Sequence, residues 1–134
     1  MQISAGLLII QNNKILLIHP VNAPWYGTYS IPKGKLEDDE TYIEAAIRET
    51  QEEIGIKIKE KYINKKPYTI EYKNDKGNIY KRLIYFIVNL DSDVHIGDIK
   101  IQKKEIDWAG FLDKNEAENR IFWRFSEMLN FLNF

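Results

Sequence analysis

One segment of this chain repeats its apolar side chains with a helical period, whereas the segments on both sides of it have the patterns of strands. Between residues 36 and 56 the apolar positions recur at i, i+3, i+4, i+7 and i+11 and so share one helical face: Ile43, Ala46, Ile47, Thr50 and Ile54. A helix with one apolar face must bury that face against another element. Because the neighbouring segments are β-rich, the pattern predicts a helix packed on a sheet.

Both ends of this helix carry residues that are typical of helix caps. Asp38 or Asp39 is the expected N-cap, and Thr41 with Glu44 offers an alternative in the form of a capping box. Gly55 is the expected C-terminal stop, because glycine readily adopts the left-handed conformation found after many helices.

The other segments predict the sheet and a second helical region. Residues 3–11 and Lys14–Pro20 are apolar runs separated by two asparagines, which indicates a hairpin. The next segment, residues 21–35, holds two prolines and two glycines and predicts a loop, with room for a short strand at residues 28–31. Strand patterns follow the helix in four places: residues 57–63, 67–73, Ile79–Leu90 and, more briefly, 105–113.

Residues 114–134 return to helical spacing, and five apolar residues form the expected buried face: Ile121, Phe125, Met128, Leu129 and Leu132. Trp108, Trp123 and the C-terminal phenylalanines are also expected in the core. The order of strands, helix, strands and helix predicts one α/β domain over residues 1–134, with a mixed sheet between helices.

Composition and charge exclude several classes of protein. The chain has 134 residues, 44% of them apolar and 29% charged, which is typical of a globular domain. The net charge of −1 provides no overall field to attract nucleic acid or a membrane. The chain has no cysteine, which excludes disulfides and thiolate metal sites and agrees with a reducing cytoplasm. We expect neither a signal peptide nor a membrane span in the first ten residues.

The acidic residues are concentrated in and just before the predicted helix. Eight of the twenty acids lie in one short stretch in which Arg48 is the single basic residue: Glu37, Asp38, Asp39, Glu40, Glu44, Glu49, Glu52 and Glu53. Glu49, Glu52 and Glu53 fall at i, i+3 and i+4, on the face opposite the apolar stripe, where like charges repel. A solvated helix face is one interpretation. A divalent cation between the carboxylates is the other, and oxygen ligands favour Mg²⁺ or Mn²⁺.

The spacing around these glutamates resembles the signature of the Nudix hydrolase family, G-x5-E-x7-R-E-U-x-E-E-x-G-U, where U is a bulky aliphatic residue. All seven fixed letters match, from Gly34 through Glu40 to Gly55. Thr50 stands where an aliphatic residue is usual, and its methyl group can still face the core. The resemblance implies the Nudix fold, an α/β/α arrangement, and hydrolysis of a pyrophosphate bond in a nucleoside diphosphate linked to another moiety.

The same resemblance implies roles for particular residues. Metal ligands would be Glu49, Glu52, Glu53 and the carbonyl of Gly34, holding Mg²⁺ or Mn²⁺. Arg48 and Glu40 would orient these carboxylates. Glu52 is the favoured general base, and Glu105, shortly before Trp108, is a second candidate.

The segments flanking the signature are similar to those of diadenosine polyphosphate hydrolases and of a little-characterised bacterial Nudix subgroup. Lys33 and Lys81 would then contact phosphate, and Tyr29 and Tyr85 would stack on a base. A dinucleoside polyphosphate such as diadenosine tetraphosphate is therefore the leading substrate. Nucleoside triphosphates and nucleotide sugars of the ADP-ribose type are alternatives, as are a nucleotide-binding module without catalysis and a structural protein with a solvated acidic helix.

Overall fold

The computed structural model describes residues 1–133, so Phe134 lies outside the described residues. It contains six strands: β1 (Gln2–Gln11), β2 (Lys14–Pro20), β3 (Lys33–Lys35), β4 (Tyr68–Lys73), β5 (Ile79–Leu90) and β6 (Ile106–Leu112). The α-helices are α1 (Tyr42–Ile54) and α2 (Lys114–Glu118), and two 3-10 segments span Glu60–Tyr62 and Trp123–Phe131. None of the helices among residues 1–133 is long and apolar enough to cross a membrane.

The six strands form one mixed sheet with β1 near its centre. The strand order is β4-β5-β1-β2-β6, and β3 pairs with β1 outside that path. β5 runs parallel to β1 along its whole length, whereas β2 and β3 are antiparallel to it at its two ends. The pairing with β3 places Gly34 opposite Ala5, and this register brings the start of the signature to the middle of the sheet.

The hairpin predicted from two asparagines is confirmed. Asn12 and Asn13 both have positive φ, 54° and 57°, in the turn between β1 and β2. Asparagine tolerates this conformation better than other residues with a side chain, and two successive positive φ values match the twist of a two-residue hairpin.

Two apolar clusters cover the two faces of the sheet. Under α1 lie alternate residues of the central strands, such as Leu7, Ile9 and Leu16, together with Ala46 and Ile54 of the helix itself. The opposite face carries Leu8, Leu17, Leu83 and Tyr85, which pack against α2 and the 3-10 segment Trp123–Phe131. The predicted mixed sheet between helical layers is therefore confirmed.

Helix α1 begins at the alternative of the two predicted caps. The Thr41 hydroxyl accepts a hydrogen bond from the Glu44 amide at 3.1 Å, and the Glu44 carboxylate accepts one from the Thr41 amide at 2.9 Å. The prediction of Asp38 or Asp39 as N-cap is wrong, because the chain turns at Asp39, with φ 66°, before the helix starts. Gly55 ends the helix in the left-handed conformation as predicted, with φ 74°.

Two predicted elements differ from the structure. Residues 57–63 form an extended segment and a 3-10 turn instead of a strand. Ile58 and Ile63 are both buried, although they are five residues apart and would face opposite sides of a regular strand. The C-terminal helical region is divided, because the Phe122 amide leaves the helical pattern and donates to the Tyr29 carbonyl at 2.9 Å. All five residues predicted for its apolar face are nevertheless buried.

Candidate active site

The acidic face of α1 displays three glutamates at graded depths. Glu53 is 7% exposed. The Glu49 side chain is largely covered, whereas that of Glu52 is 56% exposed. The gradation follows from the helix geometry: Glu52 points away from the apolar stripe toward solvent, whereas Glu53, two turns after Ala46, lies at the edge of the stripe and nearest to the sheet. The expectation that Glu53 lies opposite the stripe is therefore wrong.

Arg48 links most of the acidic cluster through one guanidinium group. Its Nε and Nη2 donate to the two carboxylate oxygens of Glu40 at 2.7 and 2.9 Å, a bidentate pair. Nη1 donates to Glu49 at 2.8 Å and to Glu52 at 3.2 Å. Nη2 also donates to the Lys35 carbonyl at 2.9 Å, which ties α1 to β3. These bonds raise the pKa of Arg48 and lower that of Glu40.

The short strand β3 approaches α1 where two of the glutamates are most buried. The Lys33 amide donates to the Glu53 carboxylate at 2.7 Å. The Glu49 carboxylate lies directly against Gly34, so that a Cβ at this position would overlap it. Gly34 therefore leaves room for the Glu49 carboxylate against β3, which explains the glycine that opens the signature.

Burial leaves this cluster with an electrostatic cost. The pKa of Glu53 is raised to about 8, mainly by desolvation and to a smaller extent by the negative charge of Glu49, although the hydrogen bond from the Lys33 amide opposes both effects. Desolvation also raises the pKa of Glu49, against the opposing effect of Arg48. A positive charge placed beside these two groups would stabilise their ionised forms.

The ligand atoms that the acidic cluster offers are of the kind that a hard divalent cation binds. Carboxylate oxygens and a glycine carbonyl are the ligands that such cations prefer, and the buried Glu53 carboxylate has a charge that a cation would compensate. Within residues 1–133, no three His, Cys, Asp or Glu side chains already converge as a metal site. Arg48 instead holds Glu49 and Glu52, so metal binding would require these carboxylates to exchange partners.

Glu105 lies on a separate turn that reaches the acidic cluster. Its negative charge raises the pKa of both Glu49 and Glu53. The preceding residues cross the end of α1, where the Gln102 amide donates to the Glu53 carbonyl at 2.9 Å. None of the ion pairs formed by the described residues includes Glu105.

The two lysines predicted to contact phosphate lie together beside the acidic cluster. Lys33 and Lys81 are close enough for the charge of Lys81 to lower the pKa of Lys33, in addition to the larger effect of burial. The Lys33 ammonium lies 5.9 Å from the centroid of the Phe125 ring, and the Lys81 ammonium 4.9 Å from that of Tyr72. Neither lysine has a carboxylate partner among the ion pairs of residues 1–133.

The two tyrosines predicted to stack on a base are buried in the core. Tyr85 is fully buried, and its hydroxyl donates to Glu127 at 2.9 Å. Tyr29 is also buried, at 4.9 Å between ring centroids from His19 and 5.8 Å from Trp108. Neither ring presents a free face to a ligand in this conformation.

An exposed aromatic surface that the sequence did not indicate lies beyond the lysines. The expectation that Trp123 lies in the core is wrong, since it is 67% exposed. The Arg124 guanidinium lies 4.5 Å from the centroid of the Trp123 ring and 5.0 Å from that of Tyr72. We call Lys33, Lys81, Tyr72, Trp123 and Arg124 the cationic groove.

Trp123 and Arg124 also line a cavity of about 370 Å³, together with Lys73 and Glu127. The residues of the groove come from β3, β4, β5 and the C-terminal 3-10 segment. No local spacing connects these segments. The family resemblance predicts a shared role for Lys33 and Lys81, but nothing in the sequence indicates that Tyr72, Trp123 and Arg124 lie beside them.

Curated relatives include two enzymes of nucleotide hydrolysis. The chain is 31% identical over 115 residues, 86% of its length, to an ADP-ribose pyrophosphatase of Methanocaldococcus jannaschii. It is 39% identical over 59 residues, 43% of its length, to an 8-oxo-dGTP diphosphatase of Proteus vulgaris. The alignments span 63% and 53% of these relatives, so the chain matches between about half and two thirds of their length.

Solved structures share the fold at lower identity. An Ap4A hydrolase of C. elegans in a binary complex has a TM-score of 0.73 at 22% identity, covering 97% of this chain and 93% of that one. A MutT Nudix hydrolase of Burkholderia pseudomallei has a TM-score of 0.72 at 18% identity, covering 96% and 95%. The family model of the NUDIX domain matches residues 1–129. Together with the intact signature, this match shows that the chain belongs to the Nudix family.

Proposed function

We propose that residues 1–134 form a single Nudix domain that hydrolyses a pyrophosphate bond in a nucleoside diphosphate linked to another moiety, with Mg²⁺ or Mn²⁺. The observation that carries this proposal is the intact acidic cluster, in which Arg48 orients Glu40, Glu49 and Glu52 beside the buried Glu53. Binding modules without catalysis would not require a buried carboxylate held at such electrostatic cost.

We assign the cation to Glu49, Glu52, Glu53 and the Gly34 carbonyl. When bound, a divalent cation neutralises phosphate oxygens and acidifies the attacking water. Glu53 is held in place by the Lys33 amide, so it needs little movement to act as a ligand. Glu52 is exposed and free to turn from Arg48 toward the cluster.

Arg48 and Glu40 act as organisers of the ligands. The bidentate pair fixes the guanidinium plane, and that plane sets the direction of the Glu49 carboxylate. Lysine could not replace this arginine, since an ammonium group cannot contact both Glu40 oxygens and Glu49 in one plane.

Glu105 is the better candidate for the proton acceptor. A general base needs a free carboxylate near the reacting water, and Glu105 is close to the cluster without an ion-pair partner among the described residues. Glu52, the other candidate, is bonded to Arg48 and is assigned above to the cation, so its carboxylate oxygens are already engaged.

A dinucleoside polyphosphate is the substrate that we favour. Such a substrate has phosphates on both sides of the scissile bond and a second base beyond them. Lys33 and Lys81 supply positive charge next to the cluster, and Trp123 offers an exposed ring farther along the cationic groove. The fold shared with an Ap4A hydrolase agrees with this choice.

A nucleotide sugar of the ADP-ribose type is the second candidate. It is favoured by the 31% identity to an ADP-ribose pyrophosphatase over 86% of this chain. This substrate has only two phosphates, so it would place a sugar where the dinucleoside polyphosphate has further phosphates. The charge of the groove therefore favours the longer polyphosphate.

Identification of the products tests the proposal directly, because cleavage of diadenosine tetraphosphate gives two adenine nucleotides, whereas cleavage of ADP-ribose gives AMP and ribose phosphate. We would assay diadenosine tetraphosphate, ADP-ribose and nucleoside triphosphates with Mg²⁺ and Mn²⁺, using the wild type and Glu52→Gln, with Glu118→Gln as an exposed-acid control on α2. We expect hydrolysis by the wild type and the control and its loss in Glu52→Gln. A wild type that binds nucleotides but releases no product would support a binding module instead, and undiminished turnover by Glu52→Gln would contradict the metal assignment.

A further inference from the structure

Strand β6 contains a bulge at Asp107, close to the turn that carries Glu105. In the pairing with β2, His19 is opposite Trp108 and Pro20 is opposite Ile106, so Asp107 is the extra residue. The packing confirms a change of face. Trp108 and Leu112 pack in the cluster under the C-terminal segment, whereas Ile106 packs in the cluster under α1. In a regular strand these three residues would share one face.

His19 holds the bulge in place from the adjacent strand. Its ring is 1% exposed, with Nδ1 at 2.5 Å from the Asp107 carboxylate and Nε2 at 3.0 Å from the Pro24 carbonyl. A ring protonated at both nitrogens donates to both oxygens, whereas a neutral ring donates to only one. Trp25 stacks on the same ring at 3.9 Å between centroids, so His19 also fixes the loop after β2.

The turn that carries Glu105, just before the bulge, is held by both β2 and α1. On the β2 side, the Val21 amide donates to the Glu105 carbonyl at 2.9 Å. On the α1 side, the Gln102 side chain accepts from the Glu105 amide at 3.0 Å, while the Gln102 amide bonds the Glu53 carbonyl. Loss of the bulge would shift the strand by one residue and turn the side chains before it to the opposite face.

We propose that His19 is a positioning residue for Glu105: by holding the Asp107 bulge, it directs the Glu105 carboxylate toward the acidic cluster. The inference rests on the proposed function, in which Glu105 accepts the proton from the attacking water. His19 itself lies in the core, so its effect on Glu105 is indirect. It reaches Glu105 through the Asp107 carboxylate and, beyond it, the backbone bond from Val21 to Glu105.

Two substitutions remove the contact from opposite sides. Asp107→Ala changes a side chain that is 39% exposed, so the fold should persist, and His19→Phe keeps an aromatic ring against Trp25 without its hydrogen bonds. His95→Phe, at an exposed histidine in another loop, is the matched control. We expect both test variants to lower kcat by roughly 10- to 100-fold, because a misplaced catalytic group reduces turnover on this scale. The KM should stay within about twofold, since phosphate contacts are retained.

A double-mutant cycle separates positioning from general damage. In a Glu105→Gln background, Asp107→Ala should have no further effect on kcat, because the group it positions is already lost. If Asp107→Ala lowers kcat equally in both backgrounds, it acts by another route and the proposal is overturned. Wild-type kcat in both Asp107→Ala and His19→Phe, with the fold intact, would overturn it as well.

Amide hydrogen exchange at Val21 tests the bulge without any turnover. This amide donates to the Glu105 carbonyl, so slippage of the bulge should expose it and speed its exchange by about tenfold or more in both variants but not in His95→Phe. Unchanged Val21 exchange would contradict the role of His19. If the wild type hydrolyses none of the substrates, the proposed function fails while the exchange measurement still decides whether His19 holds this turn.

Discussion

The acidic face of α1 and the cationic groove lie side by side, but they are built in different ways. The acidic face takes Arg48, Glu49, Glu52 and Glu53 from six consecutive positions of one helix. The groove takes its residues from three strands and the C-terminal 3-10 segment. The first is a local arrangement whose chemistry follows from spacing, whereas the second depends on the whole fold.

This difference separates the two roles that a hydrolase needs. A helix backbone holds the acidic cluster rigidly, which suits groups that must meet a reacting phosphate within a fraction of an ångström. Apart from the buried Tyr72, the groove is assembled from exposed or half-buried side chains, which can vary without disturbing the core. We therefore expect substitutions in the cluster to change kcat and substitutions in the groove to change KM.

The largest effect is expected from Glu53→Gln. This change keeps an acceptor for the Lys33 amide but removes the buried charge that would bind the cation. We expect kcat to fall by about 10³-fold, as when a directly acting electrostatic group is lost. Since desolvation raises the pKa of Glu53, the glutamine should leave the Tm of the metal-free protein unchanged or higher. Steady-state kinetics check the expected fall in kcat, and thermal unfolding checks the Tm. A normal kcat would show that Glu53 is not a metal ligand.

Arg48→Lys tests whether the orientation of the cluster matters in addition to its charges. Lysine keeps the positive charge but loses the fork that contacts Glu40 and Glu49, so we expect kcat to fall by roughly 10- to 100-fold. Arg82→Lys is the matched control, because Arg82 pairs with Glu71 in an ion pair outside the cluster. In steady-state kinetics, the kcat of the control should stay within about twofold of the wild-type value. Equal losses in both variants would show that the network has no special role.

Gly34→Ala tests the close approach between β3 and α1. The new Cβ would displace the Glu49 carboxylate from its bond with Arg48, because the end of that side chain is what it meets. We expect roughly a 10-fold loss of kcat, with little change in Tm since a flexible side chain can move aside.

Gly77→Ala gives the opposite result for a physical reason. Gly77 has φ 81° in the turn before β5, and an added Cβ would meet no other atom there, so alanine would be strained but far from the cluster. We expect the free energy of unfolding to fall by about 1 kcal/mol, and the Tm with it, while kcat stays unchanged. Measurements of kcat and Tm test this difference. If Gly34→Ala and Gly77→Ala changed kcat and Tm in the same way, Gly34 would have no particular role in the active site.

How much the sequence predicts depends on how local each interaction is. The hairpin and the end of α1 are predictable because Asn12, Asn13 and Gly55 adopt conformations that few other residues tolerate. The cluster is predictable because helix spacing alone brings its carboxylates together. Residues 57–63 were wrongly predicted as a strand, because the alternating sequence does not reveal that the 3-10 turn Glu60–Tyr62 interrupts the extended segment between the buried Ile58 and Ile63.

The whole groove could not be predicted, because most of its residues meet only through tertiary contacts. Trp123 was misplaced for a simpler reason: it follows Ile121 by two residues, about 200° around a helix, so helical spacing already places it off the buried apolar face. The bond from the Phe122 amide to the Tyr29 carbonyl divides the helical region and joins segments that are far apart in the sequence, so no local pattern encodes it. The same holds for the Asp107 bulge, which depends on His19 in another strand.

The smallest expected effect, and the sharpest test of the comparison, is Trp123→Ala. The side chain is mostly exposed, so its loss should change the free energy of unfolding by no more than about 0.5 kcal/mol. If the ring stacks on the distal base of a dinucleoside polyphosphate, the KM for that substrate should rise by about 10-fold with kcat retained, because stacking on an aromatic ring contributes roughly 1–3 kcal/mol per base.

Tyr26→Ala, at an equally exposed aromatic outside the groove, should leave both constants unchanged. The KM for ADP-ribose, which has no second base, should also stay constant in Trp123→Ala. A rise in KM for both substrates would indicate that the Trp123 ring contacts a group that both substrates contain. No rise for either substrate would show that Trp123 does not bind substrate.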